Sequence, residues 1–301
     1  MDFMKSGNGS EIFTLNEGRQ HKLLDLIHIQ KKILLPLIVA ILCLLVCFGC
    51  KKEKTEISPD IAASDEALYK LGEEFIKKDP EKARLYFRQV IDSFPKSFYA
   101  QRAKLAIGDS YFQKGDEGSL ILAASEYREF ISLYPFSPSA AYAQYQIAMT
   151  YYKKALKPGR DQTKTRQALE EFKKVITKYP LSEEAKSSKE KIEDCENRLA
   201  EHTLQIGKLY YKMKAFKAST SRLTDILTTY PNFDKMDHVY YYLADSYYKW
   251  KKAEQSLPYF TKLVSDFPES EFAKKAEDRL KEIEKSQKAT AQPMTELDYF
   301  L

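Results

Sequence analysis

The segment Val90-Ile91-Asp92-Ser93-Phe94-Pro95 (VIDSFP, 90–95) is the first of five occurrences of one pattern: aliphatic residues, then an aromatic followed by proline. The others are FISLYP (130–135), VITKYP (175–180), ILTTYP (226–231) and LVSDFP (263–268), so the prolines lie 40, 45, 51 and 37 residues apart. Eight residues before each proline stands a bulky apolar residue: Phe87, Tyr127, Phe172, Leu223 or Phe260. Twelve before stands a small one: Ala83, Ala123, Ala168, Ser219 or Ser256. Spacing in fours puts the small and bulky residues on one helix face. The proline then ends the helix, because the residue ahead of it is pushed out of the α region.

Each of these helices has a partner upstream. Leu71-Gly72, Ile107-Gly108, Ile147-Ala148, Ile206-Gly207 and Leu243-Ala244 are followed three residues after the small residue by Phe75, Tyr111, Tyr151, Tyr210 and Tyr247. Aliphatic, small, then aromatic is the pattern of the first helix of a tetratricopeptide repeat. A small residue lets two antiparallel helices approach closely, and the aromatic fills the groove beside them. The reading is an all-α tetratricopeptide-repeat solenoid of five hairpins. Longer turns fall around Gly115–Gly118 and at LKPGRDQT (156–163). Ser64 and Asp79 suit N-caps, and Pro80 suits a first helical turn. The charged stretch 182–198 reads as an extra helix, either separate from or continuous with the helix bearing Ile206. Residues 269–286 read as a polar-faced capping helix, and 287–301 as a flexible tail. Repeats one to three thus occupy 64–181; the extra helix, repeats four and five and the cap occupy 182–286.

The first 49 residues read as a leader. Residues 33–50, ILLPLIVAILCLLVCFGC, are an apolar run between Lys31-Lys32 and Lys51-Lys52, as in a secretory signal. Its end, Phe48-Gly49-Cys50, resembles a bacterial lipobox, with a cut before Cys50 and a diacylglycerol on its thiol. Cys47 stands where that motif usually has Leu. The alternative is an uncleaved membrane anchor, for which 18 apolar residues are just long enough. Residues 1–30 are long for a signal's leading region and are compatible with a misassigned start codon. Residues 50–63 form a tether. Processing at Cys50 leaves Cys195 as the one thiol that carries no lipid, expected as a small buried apolar residue.

The default recognition surface of such a solenoid is the concave face lined by the first helices. Residues flanking the small position line it, giving a candidate peptide groove of Tyr69, Glu73, Lys77, Asp109, Phe112, Tyr145, Met149, Tyr152 and Lys153. Four residues after the small one, four repeats of five carry an aromatic: Phe112, Tyr152, Tyr211 and Tyr248. Each either faces a ligand or packs on the next repeat. In the doublets Tyr151-Tyr152, Tyr210-Tyr211 and Tyr247-Tyr248, the first ring is expected inside its hairpin and the second toward the groove.

Catalytic chemistry finds no foothold. Only four His are present, His202 and His238 lack metal-ligand spacing, and no glycine-rich phosphate loop or Ser/His/Asp set occurs. The reading is a non-enzyme without metal or cofactor. A net charge of +5 with both signs interspersed is unlike the concentrated basic patch of a nucleic-acid binder. Forty-four per cent hydrophobic residues support a packed core, while 10 Gly and 12 Pro are too few for a many-turned β-sandwich.

Residues 197–231, NRLAEHTLQIGKLYYKMKAFKASTSRLTDILTTYP, resemble the BamD (ComL) family of outer membrane assembly lipoproteins. The similarity lies in Arg198, Leu199, Ala200 and His202, then Tyr210, Tyr211, Phe216 and Ala218, then Tyr230 and Pro231. ARLYFRQVIDSFPKSFYAQRA (83–103) looks like that family's first hairpin. Thr203 departs from it, standing where Glu is common. The resemblance spans roughly residues 50–285 and implies a scaffold on the periplasmic side of the outer membrane, held by lipid on Cys50. It implies that the early repeats bind unfolded β-barrel precursors. It further implies that the later repeats hold the β-barrel insertase subunit, with Arg198, His202, Tyr211, Lys212 and Tyr248 as candidate contacts. The rival reading is another exported tetratricopeptide lipoprotein, a cell-envelope or division adaptor.

Overall fold

Five aromatics stop five helices in the same backbone state. Phe94, Tyr134, Tyr179, Tyr230 and Phe267, each just ahead of a proline, have φ between −129° and −134° and ψ between 54° and 61°. Each still donates its N–H to the carbonyl four residues back, as Phe94 does to Val90 (2.9 Å). The proline ring denies the preceding residue α geometry, so the chain turns there.

A computed structural model describes residues 64–291, with side chains through residue 288. The leader, Cys50, the tether to residue 63 and the chain beyond 291 lie outside the described residues. Within them are eleven helices: α1 (Asp65–Phe75), α2 (Pro80–Ser93), α3 (Phe98–Lys114), α4 (Glu117–Leu133), α5 (Ala140–Lys153), α6 (Thr163–Lys178), α7 (Glu183–Lys212), α8 (Phe216–Thr229), α9 (Met236–Lys249), α10 (Ala253–Asp266) and α11 (Ala273–Ala291). Each packs on the next, giving the solenoid of five hairpins expected from the sequence. None of these helices is long and apolar enough to cross a membrane.

The hairpins close through the predicted contacts. All five bulky residues and all five small residues of the second helices are fully buried. A Cβ added at Gly72 would lie 2.5 Å from the Phe87 ring, and one at Gly108 would lie 2.7 Å from the Tyr127 ring. The rings of the second helices thus fill the space a side chain at these positions would need. Ser219 adds a polar link, its Oγ donating to the Gly207 carbonyl (2.9 Å). The expected caps form: Ser64 accepts from Ala67 N–H and Asp79 from Lys82 N–H.

One alternative left open by the sequence is decided, and one boundary differs from the sequence reading. The charged stretch 182–198 is continuous with the first helix of repeat four, and together they make the 30-residue α7, about 45 Å long. Its first half packs Ile192 and Cys195 against Phe172 of α6, and its second half packs Leu204 against Leu223 of α8. Cys195 is buried, and burial pushes its thiol up to about 12, leaving it protonated and inert. The capping helix starts at Ala273, not 269, because Pro268–Ser270 make the same turn as earlier prolines, with Ser270 N–H on Phe267 O (3.0 Å). It then runs past Gln287 to Ala291, two residues short of Pro293.

The long turn before α6 is ordered around a buried Gln162, which donates to the Lys157 and Arg160 carbonyls and accepts from Thr165. α7 meets the α8–α9 turn through a reciprocal pair: Asn197 donates to Asp234 Oδ2 (2.8 Å) and accepts from Asp234 N–H (3.2 Å).

Candidate functional site

The aromatics four residues after the small position form a ladder along the first helices, each ring covered by a cation from the next first helix or from the cap. Lys153 Nζ lies 3.9 Å from the centre of the Phe112 ring. Arg198 covers Tyr152 at 4.8 Å, Lys249 covers Tyr211 at 4.5 Å, and Arg279 of the cap covers Tyr248 at 4.7 Å. A cation over a ring face is attracted by the ring quadrupole, more strongly as water is excluded.

A carboxylate closes each tyrosine rung. The Tyr152 hydroxyl donates to Asp194 Oδ2 (2.8 Å) and accepts from Arg198 Nη2 (3.0 Å), while Arg198 Nε pairs with Asp194 (2.8 Å). Tyr211 donates to Asp245 Oδ2 and accepts from Lys249, which also pairs with Asp245 (2.8 Å). Tyr248 donates to Glu282 (3.3 Å), which Arg279 holds at 2.7 Å. Burial lifts the Tyr152 and Tyr211 hydroxyls to about 12, so both remain donors at neutral pH.

This arrangement corrects the expectation that the second tyrosine of each doublet simply points into an open groove. Tyr152, Tyr211 and Tyr248 are half-buried, with their polar ends committed to the next first helix or the cap. The first members do not behave alike either. Tyr247 stacks on Tyr259 of its own hairpin (5.9 Å), whereas the Tyr151 hydroxyl accepts from Arg128 of the preceding one (2.7 Å).

The other groove candidates divide sharply. Tyr69 is 6% exposed, enclosed by Phe87, Tyr99 and Arg102, and cannot present a ring face to a ligand. Tyr145 and Met149 are half-buried against the cluster around Phe172. Glu73 is exposed and lies 3.7 Å from Arg102, and Lys77 and Lys153 are also exposed. The accessible stretch therefore centres on Phe112, Tyr145 and Tyr152, with Lys153 over the Phe112 ring, whereas Lys77 lines a depression with Pro80, Arg84 and Gln113.

The partner-interface candidates are mostly turned inward. Arg198 reaches back to Tyr152. His202 Nδ1 lies 2.6 Å from the Pro158 carbonyl and must carry the proton there, since a carbonyl only accepts. The continuous α7 explains both: residues in its middle face repeat three. Of the five, only Lys212 is fully exposed. Asp194 and Arg279 were not legible as ladder members, because offsets from a small residue do not reveal what a neighbouring helix brings across.

Asp109 is a second kind of strut, accepting from Tyr127 (2.6 Å) in its own hairpin and Tyr142 (2.7 Å) in the next. Burial pushes its carboxyl above the usual carboxylate range, and the two hydroxyls only partly offset this. A carboxyl raised in the folded state gives its full stabilising contribution below its unfolded pKa, and loses it as pH rises through the folded value. Asp109→Asn cannot titrate, so its stability relative to wild type is expected to rise as pH is raised from about 3, below the unfolded carboxyl value, toward neutrality. Urea midpoints of both proteins across that range measure this; a pH-independent difference would contradict it.

Comparison with known proteins gives a consistent picture. A family model described as YfiO, outer membrane lipoprotein, matches residues 61–251, and a tetratricopeptide-repeat model matches 238–270, the fifth hairpin. The chain is 29% identical to the outer membrane protein assembly factor BamD of Caulobacter vibrioides over 67% of its own length and 65% of that protein's. It is 29% identical to the protein of the same description from Rickettsia prowazekii, over 76% of this chain and 89% of that one. The Neisseria meningitidis counterpart is 24% identical over 81% and 94%. The chain thus spans just under two thirds of the Caulobacter relative and most of the other two.

Proposed function

The chain belongs to the family of outer membrane lipoproteins whose model covers residues 61–251, and from that premise we propose that it is a non-catalytic scaffold in outer membrane protein assembly. In this reading, lipid on Cys50 holds it to the periplasmic side of the outer membrane. The first three repeats receive unfolded β-barrel precursors, and the last two hold the insertase subunit. The observation that carries the precursor site is the half-buried row Phe112, Tyr145 and Tyr152 with the Lys153 ammonium beside it. An extended segment ending in an aromatic residue lays its side chains on those rings, and its terminal carboxylate meets an ammonium. Lys212 is the exposed candidate toward the insertase.

The test is co-purification from mildly solubilised membranes through a C-terminal tag. A stoichiometric large outer membrane β-barrel with periplasmic domains is the expected companion. Division or peptidoglycan proteins in its place would overturn the assembly role. With the purified protein, Phe112→Ala plus Tyr152→Ala is expected to weaken binding of a labelled C-terminal β-barrel peptide by about tenfold or more, the loss of one to two anchoring rings. Tyr152→Phe, which keeps the ring, should bind nearly as wild type. Unchanged affinity in the double variant would remove the groove as drawn.

A further inference from the structure

The turns inside the last two hairpins share a pattern that runs on past the ladder's tyrosines. They read Tyr210-Tyr211-Lys212-Met213-Lys214 and Tyr247-Tyr248-Lys249-Trp250-Lys251. Seven residues after the small position, repeat two places Gly115 at φ 73°, the left-handed state that glycine adopts freely. Repeats four and five hold lysine at that point, Lys214 at φ 60° and Lys251 at φ 63°. These are the two non-glycine residues in that conformation among the described residues. A side chain kept where glycine fits better points to a use for the side chain.

The surroundings indicate the use. A shallow depression of about 560 Å³ lies between the two turns, lined by Lys214, Ala215, Phe216, Lys217, Ala218, Ser221 and Trp250, with no acidic group. Met213 at its edge is 65% exposed. Lys252 Nζ sits 3.7 Å from the Trp250 ring centre. Lys212, Lys214, Lys217 and Lys251 form no ion pair among the described residues, so their ammoniums are available to an anionic surface. Unpaired ammoniums on long apolar stems, beside a tryptophan and an exposed methionine, match a bilayer surface: charges in the phosphate layer, rings and stems at the acyl boundary.

We propose that the turns Met213–Ala215 and Trp250–Lys252 form a platform that seats on an anionic phospholipid surface. The inference rests on the reading of the protein as membrane-anchored and adds a second attachment: lipid precedes the first repeat, whereas the platform belongs to the last two. An acidic protein partner is the competing occupant. It is disfavoured because the depression offers flexible ammoniums over an apolar floor, with no fixed donors to read a particular carboxylate.

Trp250 is the single tryptophan of the chain, so its emission reports this turn alone. The full lipoprotein is reconstituted into vesicles of phosphatidylethanolamine and phosphatidylglycerol brominated near the headgroup, and flotation is scored separately. The expected result is a blue-shift and loss of most Trp250 emission, with little change in phosphatidylcholine vesicles. The variant Lys214→Glu/Lys217→Glu/Lys251→Glu should float, keep its helical circular dichroism and lose the quenching, and the corresponding Gln variant should lose part of it. Unquenched emission in floated anionic vesicles overturns the platform, as does equal quenching in both lipids or in the Glu variant. Failure to float counts instead against the lipid anchor, and adding anionic brominated vesicles to the detergent-free protein then tests the platform alone.

Discussion

Replacing Asp245 by alanine is expected to destabilise the protein by about 3 kcal/mol, the largest effect of any single ladder residue. Asp245 is 1% exposed and joins three elements. It takes the Tyr211 hydroxyl from α7 and the Lys249 ammonium from its own helix, and Arg279 Nε of the cap lies 3.5 Å from Oδ1. Removing a buried partner costs about 3–5 kcal/mol when the charges left behind stay buried. Here Lys249 and Arg279 side chains are 39% and 33% exposed and can regain water, which places the effect at the low end. Asp245→Asn keeps an acceptor for Tyr211 and should cost less. In a solenoid, stability is nearly a sum of repeat and nearest-neighbour terms. The loss should therefore appear as faster amide exchange in α9–α11, with α1–α5 unaffected. Urea unfolding with a Tyr211→Phe cycle measures the coupling; a loss below about 1 kcal/mol with uniform exchange would show that the node does not join the repeats.

Why such a node escapes a sequence reading is instructive. The hairpins were legible because their determinants are local: a helix face recurs in fours, and a proline acts on the residue before it. Phe87, Tyr127, Phe172, Leu223 and Phe260 are buried as the offsets required, and Ser64 and Asp79 cap as their types predict. Offsets also marked position plus four as aromatic. They did not tell where each ring's polar end goes, which depends on what the following element carries across. Two rungs draw their cation from the equivalent place on the next first helix, Lys153 over Phe112 and Lys249 over Tyr211. The Tyr152 rung instead takes Arg198 and Asp194 from midway along α7, because that helix begins 24 residues before its small residue, against 7 to 10 in the other first helices. Tyr69 fails for a related reason: Tyr99 and Arg102 of α3 close over it, although Tyr145 at the same offset stays half-buried. Residues in the later repeats that look like partner contacts are thus largely the means by which repeats three, four and five are held in register.

Gly108→Val is expected to destabilise by about 3 kcal/mol, although helix propensity alone would favour valine by a few tenths. What stands opposite position 108 decides the sign. A Cβ at 108 would lie 2.7 Å from Tyr127 Cε1 and 3.1 Å from Cζ. The ring cannot retreat: Tyr127 is fully buried, packed with Phe130, Ala143 and Ile147, and its hydroxyl is fixed on Asp109. Relief must come from separating α3 and α4. The converse change, Ala148→Gly in repeat three, meets no clash and should cost only about 1 kcal/mol of backbone entropy. Urea midpoints of the two variants test the pair, and a Gly108→Val protein as stable as wild type would contradict the close approach. A second readout follows from the sequence neighbour. Gly108 sets the hairpin distance and Asp109 the strut to the next repeat, so forcing Tyr127 away opens the Asp109 carboxyl to water. Its pKa should then fall back toward the unfolded value, and the rise in relative stability on Asp109→Asn with increasing pH should shrink in the Gly108→Val background. A simple local unfolding of α3 would abolish that rise together with the α3 amide protection, whereas a separated but folded hairpin would lose the first and keep the second.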